Sequence, residues 1–367
     1  MHARGLLFLP TAAAWLSALQ AQPPALAPTS STMIATGGSL HYSSILIPAG
    51  VTVQFTGVAP AVVLCDGDCI VHGTLSAAAI GTTDGPGAVT QGIGFPGAFC
   101  PSFCTPFGCT CWGYSMLPGP GVHHGAYGSA IPFSLLGGSP SGSLLTYLSS
   151  NPVASVCCDV FLGIAPGGGG GGTLAVIAGG LIDIDGVVDV RGGAGPGNGS
   201  AGSLLLRGAG GTMLRPGGQL LAGPASANGG EVRLDAWGSP PLVQGSIVAP
   251  APVVLELPHL HTSAGPVIGT TWSIDVFAPD TSIVILAAST QRGVSTATPF
   301  GTLEIDLSSG AIVGFAVPTP GHDPLATIPW TIPSLPQLVG LQLWLQGLAW
   351  PSTLPPRLTN TISSFVQ

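Results

Sequence analysis

A chain of 367 residues with 46% hydrophobic and only 6% charged residues can build a sizeable core, but it carries far less charge than an ordinary soluble domain. It contains no Lys, and its seven basic residues, all Arg, stand against fifteen acidic ones for a formal net charge of −8. That balance excludes a phosphate-neutralising surface, and with it binding to nucleic acid or to anionic membrane surfaces.

The first 21 residues have the plan of a signal peptide: Arg4, an apolar stretch around Leu6 to Leu9, and the small residue Ala21 at the cleavage point. The apolar run is too short for a membrane span and is broken by Pro10. The chain is therefore expected to be secreted or held at the cell surface, with no transmembrane segment once the signal is removed. Loss of Arg4 leaves six Arg against fifteen acidic residues, a net charge of −9. Residues 22–38 read as a linker.

An internal repeat follows. Residues 172–190, 202–222 and 230–249 each open on a Gly, run through an alternating strand, turn into a second strand, and pass a further Gly (Gly186, Gly218, Gly245) into a third. The openings at Gly172, Gly202 and Gly230 are 30 and 28 residues apart. Residues 61–77 share the plan, and 44–57 read as part of another turn. A unit of this kind cannot bury its apolar face alone, whereas stacked copies share one core.

The 57 Gly and 36 Pro then serve as corners between short strands. This pattern predicts an all-β protein: a right-handed parallel β-helix with pectin-lyase-like coils over 39–261, followed by an antiparallel β-sandwich over 262–367. One large antiparallel sandwich is the rival arrangement. In the coil that opens at Gly172, Ile182, Ile184, Val188 and Val190 are expected inward, and Asp183, Asp185 and Asp189 outward. Superposing the middle glycines sets Asp183 beside Arg215 of the next coil.

Residues 80–172 form an insertion rich in Cys, Gly and Pro, long enough to need tying down. In an exported chain all eight cysteines, Cys65, Cys69, Cys100, Cys104, Cys109, Cys111, Cys157 and Cys158, are expected to be oxidised, with the pairing left open. From Thr271 onward seven strand candidates follow one another: TWSIDVF, SIVILAAS, GTLEIDLSS, AIVGFAVP, ATIPWTI, LVGLQLWLQGLAW and RLTNTISSFV. This spacing predicts the sandwich, which is expected to cover the open edge of the last coil.

The segments 184–193 (IDGVVDVRGG), 338–348 (LVGLQLWLQGL) and 357–360 (RLTN) resemble exported proteins common in planctomycete-type bacteria, in which a Gly-rich coil region precedes a C-terminal sandwich module. The resemblance covers nearly all of the mature chain. It implies export and architecture, and no activity.

Parallel β-helices often carry enzymes that cleave polysaccharides with clustered carboxylates or with Ca²⁺ and an Arg base. The residues that could serve here are Asp183, Asp185, Asp189 and Arg215, with Arg191 nearby, but one Asp-rich coil gives no patch along the sheet. Asp66 and Asp68, in the Cys65–Cys69 turn, could hold a cation such as Ca²⁺. His259 and His261 share one strand face, and His123 and His124 are adjacent in the insertion. Neither pair has a third ligand nearby in sequence. No phosphate loop, nucleophile elbow or metalloprotease motif is present, so no cofactor is expected.

These residues point first to a structural, adhesive or surface-matrix protein without catalysis. A polysaccharide lyase or hydrolase on the same helix and a non-catalytic carbohydrate-binding protein are the alternatives. In each case extracellular polysaccharide or cell-envelope components are the expected partners. Trp272, Trp330, Trp344 and Trp350 could stack on sugars, although at strand spacing they fit a core better.

Overall fold

The computed structural model describes residues 22–88 and 168–367, apart from 38, 195–197, 224–228, 251, 280 and 320–323. Between those stretches it describes only the backbone of five strands, β8 (Cys104–Thr105), β9 (Gly108–Cys109), β10 (Ser115–Met116), β11 (Leu144–Ser149) and β12 (Asp159–Ala165). The signal segment, His123, His124, Cys100, Cys111, Cys157 and Cys158 lie outside the described residues. Cys104 and Cys109 face one another in the β8–β9 register as backbone positions only.

The coil region is built from β1 (Thr32–Ala35), β2 (Ser39–Tyr42), β3 (Ile45–Ile47), β4 (Thr52–Thr56), β5 (Ala61–Cys65), β6 (Cys69–Val71) and β7 (Thr74–Ser76) before the insertion. After it come β13 (Leu174–Ala178), β14 (Leu181–Ile184), β15 (Val187–Asp189), β16 (Ser203–Gly208), β17 (Gly211–Leu214) and β18 (Gln219–Leu221). The region closes with β19 (Glu231–Trp237), β20 (Leu242–Val243), β21 (Ser246–Val248) and β22 (Val253–Leu257).

These strands form three parallel sheets, in the orders β1-β4-β7-β15-β18-β21, β2-β5-β13-β16-β19-β22 and β3-β6-β14-β17-β20. The chain visits the three sheets in turn, a topology consistent with a parallel β-helix and incompatible with an antiparallel sandwich here. Leu174 pairs with Leu204, and Leu204 with Val232, so the register follows the 30- and 28-residue repeat. Alternation places Ile182, Ile184, Val188 and Val190 in one core with Val63, Val176, Leu206 and Leu234.

At the corners the coils touch backbone to backbone. A Cβ on Gly202 would overlap the carbonyl oxygen of Gly172, and one on Gly230 would overlap that of Gly202. The repeat's opening glycines are therefore required by close approach.

Two boundaries differ from the expectation. Residues 22–38 are more than a linker: β1 pairs with β4, and Leu26 bridges Ile45. The coil also holds both ends of the insertion, since Gly85 N–H donates to Gly170 O (2.8 Å) and Gly170 N–H to the Asp84 carboxylate (2.7 Å).

All seven expected C-terminal strands form: β24 (Thr271–Phe277), β25 (Ser282–Ser289), β27 (Gly301–Ile305), β28 (Gly310–Ala316), β29 (Leu325–Thr331), β30 (Gln342–Pro351) and β31 (Arg357–Phe365). Two more join them, β23 (His259–His261) and β26 (Arg292–Thr298). Antiparallel sheets β23-β24-β29 and β28-β25-β30-β31 enclose a core of Leu260, Ile274, Val276, Val284, Leu286 and Leu345. Because β23 pairs with β24, the antiparallel part begins at His259 and not at 262.

Trp237 and Leu257, on the outer face of β19 and β22, belong to that same core. The sandwich thus packs on the flank of the coil stack. It leaves Val243 and Val254, at inward register positions of the last turn, exposed. The expectation that it covers the open end is corrected: its apolar contacts lie on the lateral sheet.

Candidate functional site

The carboxylates singled out in the sequence do not converge. Asp183 lies on β14 and Asp189 on β15, strands of different sheets, while Asp185 stands exposed at the corner between them. Arg215 grips Asp183 with two bonds of 2.7 and 2.6 Å, as the glycine superposition predicts. Asp189 is held by Arg191 through its side chain (2.7 Å) and its backbone N–H (2.9 Å). The bound carboxylates hold the guanidinium pKa of Arg191 and of Arg215 above its ordinary value. Asp183 and Asp189 therefore each carry their own arginine, and among these three carboxylates none faces another across a common cleft.

Asp66 and Asp68 also diverge. Asp66 meets His41 of the preceding coil at 2.7 Å, and Asp68 accepts the Leu181 N–H of the following coil at 2.8 Å. Their residue types suit a cation, but these partners aim the two carboxylates at opposite neighbours. Cys65 and Cys69 of the same turn are free thiols buried in the coil core, in place of the oxidised state, of open pairing, expected from the chain's export. They sit at inward positions of β5 and β6, where the apolar alternation places them. Burial pushes both thiols up, helped by the Asp66 and Asp68 charges at Cys65 and by Cys65 at Cys69.

Sequence reasoning passed over a dense group of charges on the outer face of the coils. On the outer face of β16 and β19, Arg207 and Asp235 are register partners. One oxygen of Asp235 accepts two bonds from Arg207 (2.9 and 2.6 Å), and the other accepts Arg233 Nε at 2.8 Å. The side chains of Arg233 and Asp235 are fully buried. Glu231, at the next outward position, is buried too. The signal was the outward alternation Glu231, Arg233, Asp235 in register with Arg207. It is hidden because a charged alternation normally marks a solvated face.

His259 adjoins this group. Burial, then the charges of Arg233 and His261, lower its pKa from the ordinary value. His259 and His261 do share one face of β23, as expected. Among the described residues no cluster of three His, Cys, Asp or Glu side chains is disposed to hold a metal ion.

Beside this network runs a groove of about 800 Å³ between the lateral sheet and the sandwich. His41, Asp66, Leu64, Ile177 and Arg207 line it from the coils, with Trp237 and Leu257 where the two parts meet. Pro279, Thr281 and Leu354 close it from sandwich loops. A largely apolar cleft with a few polar groups at a domain junction is the usual form of a binding site. A smaller polar recess of about 230 Å³ is lined by Glu256, His259, Glu304 and Arg357.

The sandwich tryptophans are mostly structural. Trp272 is buried, stacks on Trp330 at 6.1 Å and donates its N–H to Ala264 O. Trp344 lies under Arg292, and Trp350 is exposed. Compared with protein-family models, with curated proteins and with solved structures, the chain finds no match.

Proposed function

We propose that this chain is an exported structural or adhesive protein of the cell surface or extracellular matrix, working without catalysis. Its coil region is a right-handed helix of pectin-lyase-like coils, and the chain belongs with the Gly-rich coil proteins it resembles in sequence. The observation that carries this reading is the fate of the carboxylates. Asp183, Asp189 and Asp235 are each bound to arginine, and each stands on a different one of the three coil sheets. A lyase or hydrolase would need two carboxylates facing one bond, or a cation beside a free base. Here the Asp183–Arg215 and Asp235–Arg207 pairs instead fix neighbouring coils in register.

The groove between coils and sandwich favours a second, compatible reading, a non-catalytic hold on extracellular polysaccharide. His41, Asp66 and Arg207 would supply polar contacts and Trp237 an apolar wall.

The deciding experiment exposes the purified chain from residue 22 onward to a polysaccharide panel, with and without Ca²⁺. Both reducing-end release and retention on insoluble fractions are measured. Retention without new reducing ends, weakened by Thr281→Trp in the groove, supports adhesion there. New reducing ends would overturn the non-catalytic reading.

A further inference from the structure

The outer face of the four-stranded sandwich sheet is apolar across three adjacent strands. In register, Ile283 aligns with Trp350, Phe315 with Ile285 and Leu348, and Ile312 with Ala287, and Val317 follows two residues after Phe315, just past the end of β28. Of these, Phe315 is 80% exposed, Ile312 72%, Val317 65%, Trp350 57% and Ile283 54%. The opposite side chains of the same strands, Val284, Leu286 and Leu345, form the sandwich core.

Strands β25, β28 and β30 contain no Asp, Glu, Lys or Arg at all. An antiparallel sheet with one wet face alternates apolar and polar residues, whereas near-continuous apolar strands belong to sheets covered on both sides. The sequence of these three strands is of the second kind, yet their outer face is open around Ile283, Phe315 and Ile312. At its far end Trp344 and Gln346 are covered, by Arg292 and Thr302 of the β26 and β27 pair.

Taking roughly 150–250 Å² for a whole aromatic side chain and somewhat less for Val or Ile, the exposed fractions amount to on the order of 550 Å². That lies near the top of the roughly 300–600 Å² range of a typical monomer's largest apolar patch, and two such faces together would bury about 1,100 Å², past the roughly 1,000 Å² that a specific interface needs.

We propose that this face packs against the same face of a second copy of the chain, forming a two-fold dimer with the two sheets stacked face to face. A partner of opposite charge has nothing to recognise here. A self-complementary contact suits a patch without charge, because pairing it with itself buries no unpaired ion. Packed sheets lie about 10 Å apart, a spacing that lets the rows on β28, β25 and β30 interdigitate. The inference stands independently of the polysaccharide and matrix readings.

Sedimentation of the chain from residue 22 onward, at about 1 to 50 μM, tests it in the range where an interface of this size associates. The expected result is a dimer. Phe315→Lys and Ile283→Lys should each raise its dissociation constant at least about thirty-fold, as loss of a central contact does. Both side chains are exposed, so unchanged near-ultraviolet circular dichroism will confirm that the variants fold. A chain that stays monomeric throughout, or a dimer unaffected by either substitution, overturns the proposal.

Discussion

The guanidinium carbon of Arg233 lies 4.7 Å from the centre of the Phe277 ring. A charge belonging to the coils thus rests on an aromatic belonging to the sandwich, and Asp235 behind it neutralises that charge. Burial without compensation would be costly, so one residue network both seals the outer sheet and fastens the second domain.

Replacing Asp235 by Ala should be severe. It removes the acceptor that Arg207 and Arg233 share, and breaking a buried pair from one side costs about 3–5 kcal/mol. Urea unfolding followed by tryptophan fluorescence would read the loss. Phe277→Leu keeps the apolar bulk but removes the ring face, and should cost less, about 0.5–2 kcal/mol.

Gly202→Ala adds a single methyl group where the coils touch through backbone. With no flexible side chain to give way, the strands must part. The expected loss of several kcal/mol belongs with the largest single-site effects. A thermal melt against Gly37→Ala, where the added Cβ meets nothing within 4 Å and the backbone is not left-handed, separates crowding from the other effects of replacing a glycine.

Acidification should weaken the junction. The folded state holds His259 below its ordinary pKa, so the unfolded chain binds the proton first as pH falls. Stability from this site is intact above about pH 6.5 and is lost progressively below it, through the depressed folded value. Melting temperatures at neutral and mildly acidic pH should differ more in the native chain than in His259→Gln. Equal differences would assign the acid sensitivity elsewhere.

The thiols of Cys65 and Cys69 should resist alkylation in the folded chain, since burial disfavours the thiolate that reacts. Intact mass after iodoacetamide, with and without guanidinium but without reductant, gives the answer. Two added groups located at Cys65 and Cys69 only on unfolding would match free buried thiols. None on unfolding would mean that the pair is oxidised.

Much of the coil region was legible because its repeat is a register. Gly172, Gly202 and Gly230 mark one corner, and the alternation around Ile182 and Ile184 marks the inward face, so even the Asp183–Arg215 pair could be placed from sequence. The sandwich strands were legible from their lengths and separating prolines. What stayed hidden depends on packing between domains. Nothing local in Glu231, Arg233 and Asp235 shows that Phe277 and Trp237 lie over or beside them. Strand β23 is three residues long, and its antiparallel pairing appears only when β24 lies alongside. The carboxylates near Asp183 looked like a cluster in one dimension because the bend at Asp185 and Gly186 sends β14 and β15 to different sheets.

The pairing of β13 directly on β5 makes one step of the stack unlike the rest. The other coils find their neighbour after 20 to 30 residues, but Asp68 and Leu181, which join the coils on either side of the insertion, are 113 residues apart. Closing a loop this much longer adds roughly 1 kcal/mol of chain entropy, a small thermodynamic penalty. Its larger consequence concerns time. As the chain emerges, the edges of β5, β6 and β7 stay bare until Leu174 arrives, and a bare parallel edge is open to wrong partners. The slow and vulnerable moment in making this protein should therefore fall there, between its second coil and its third.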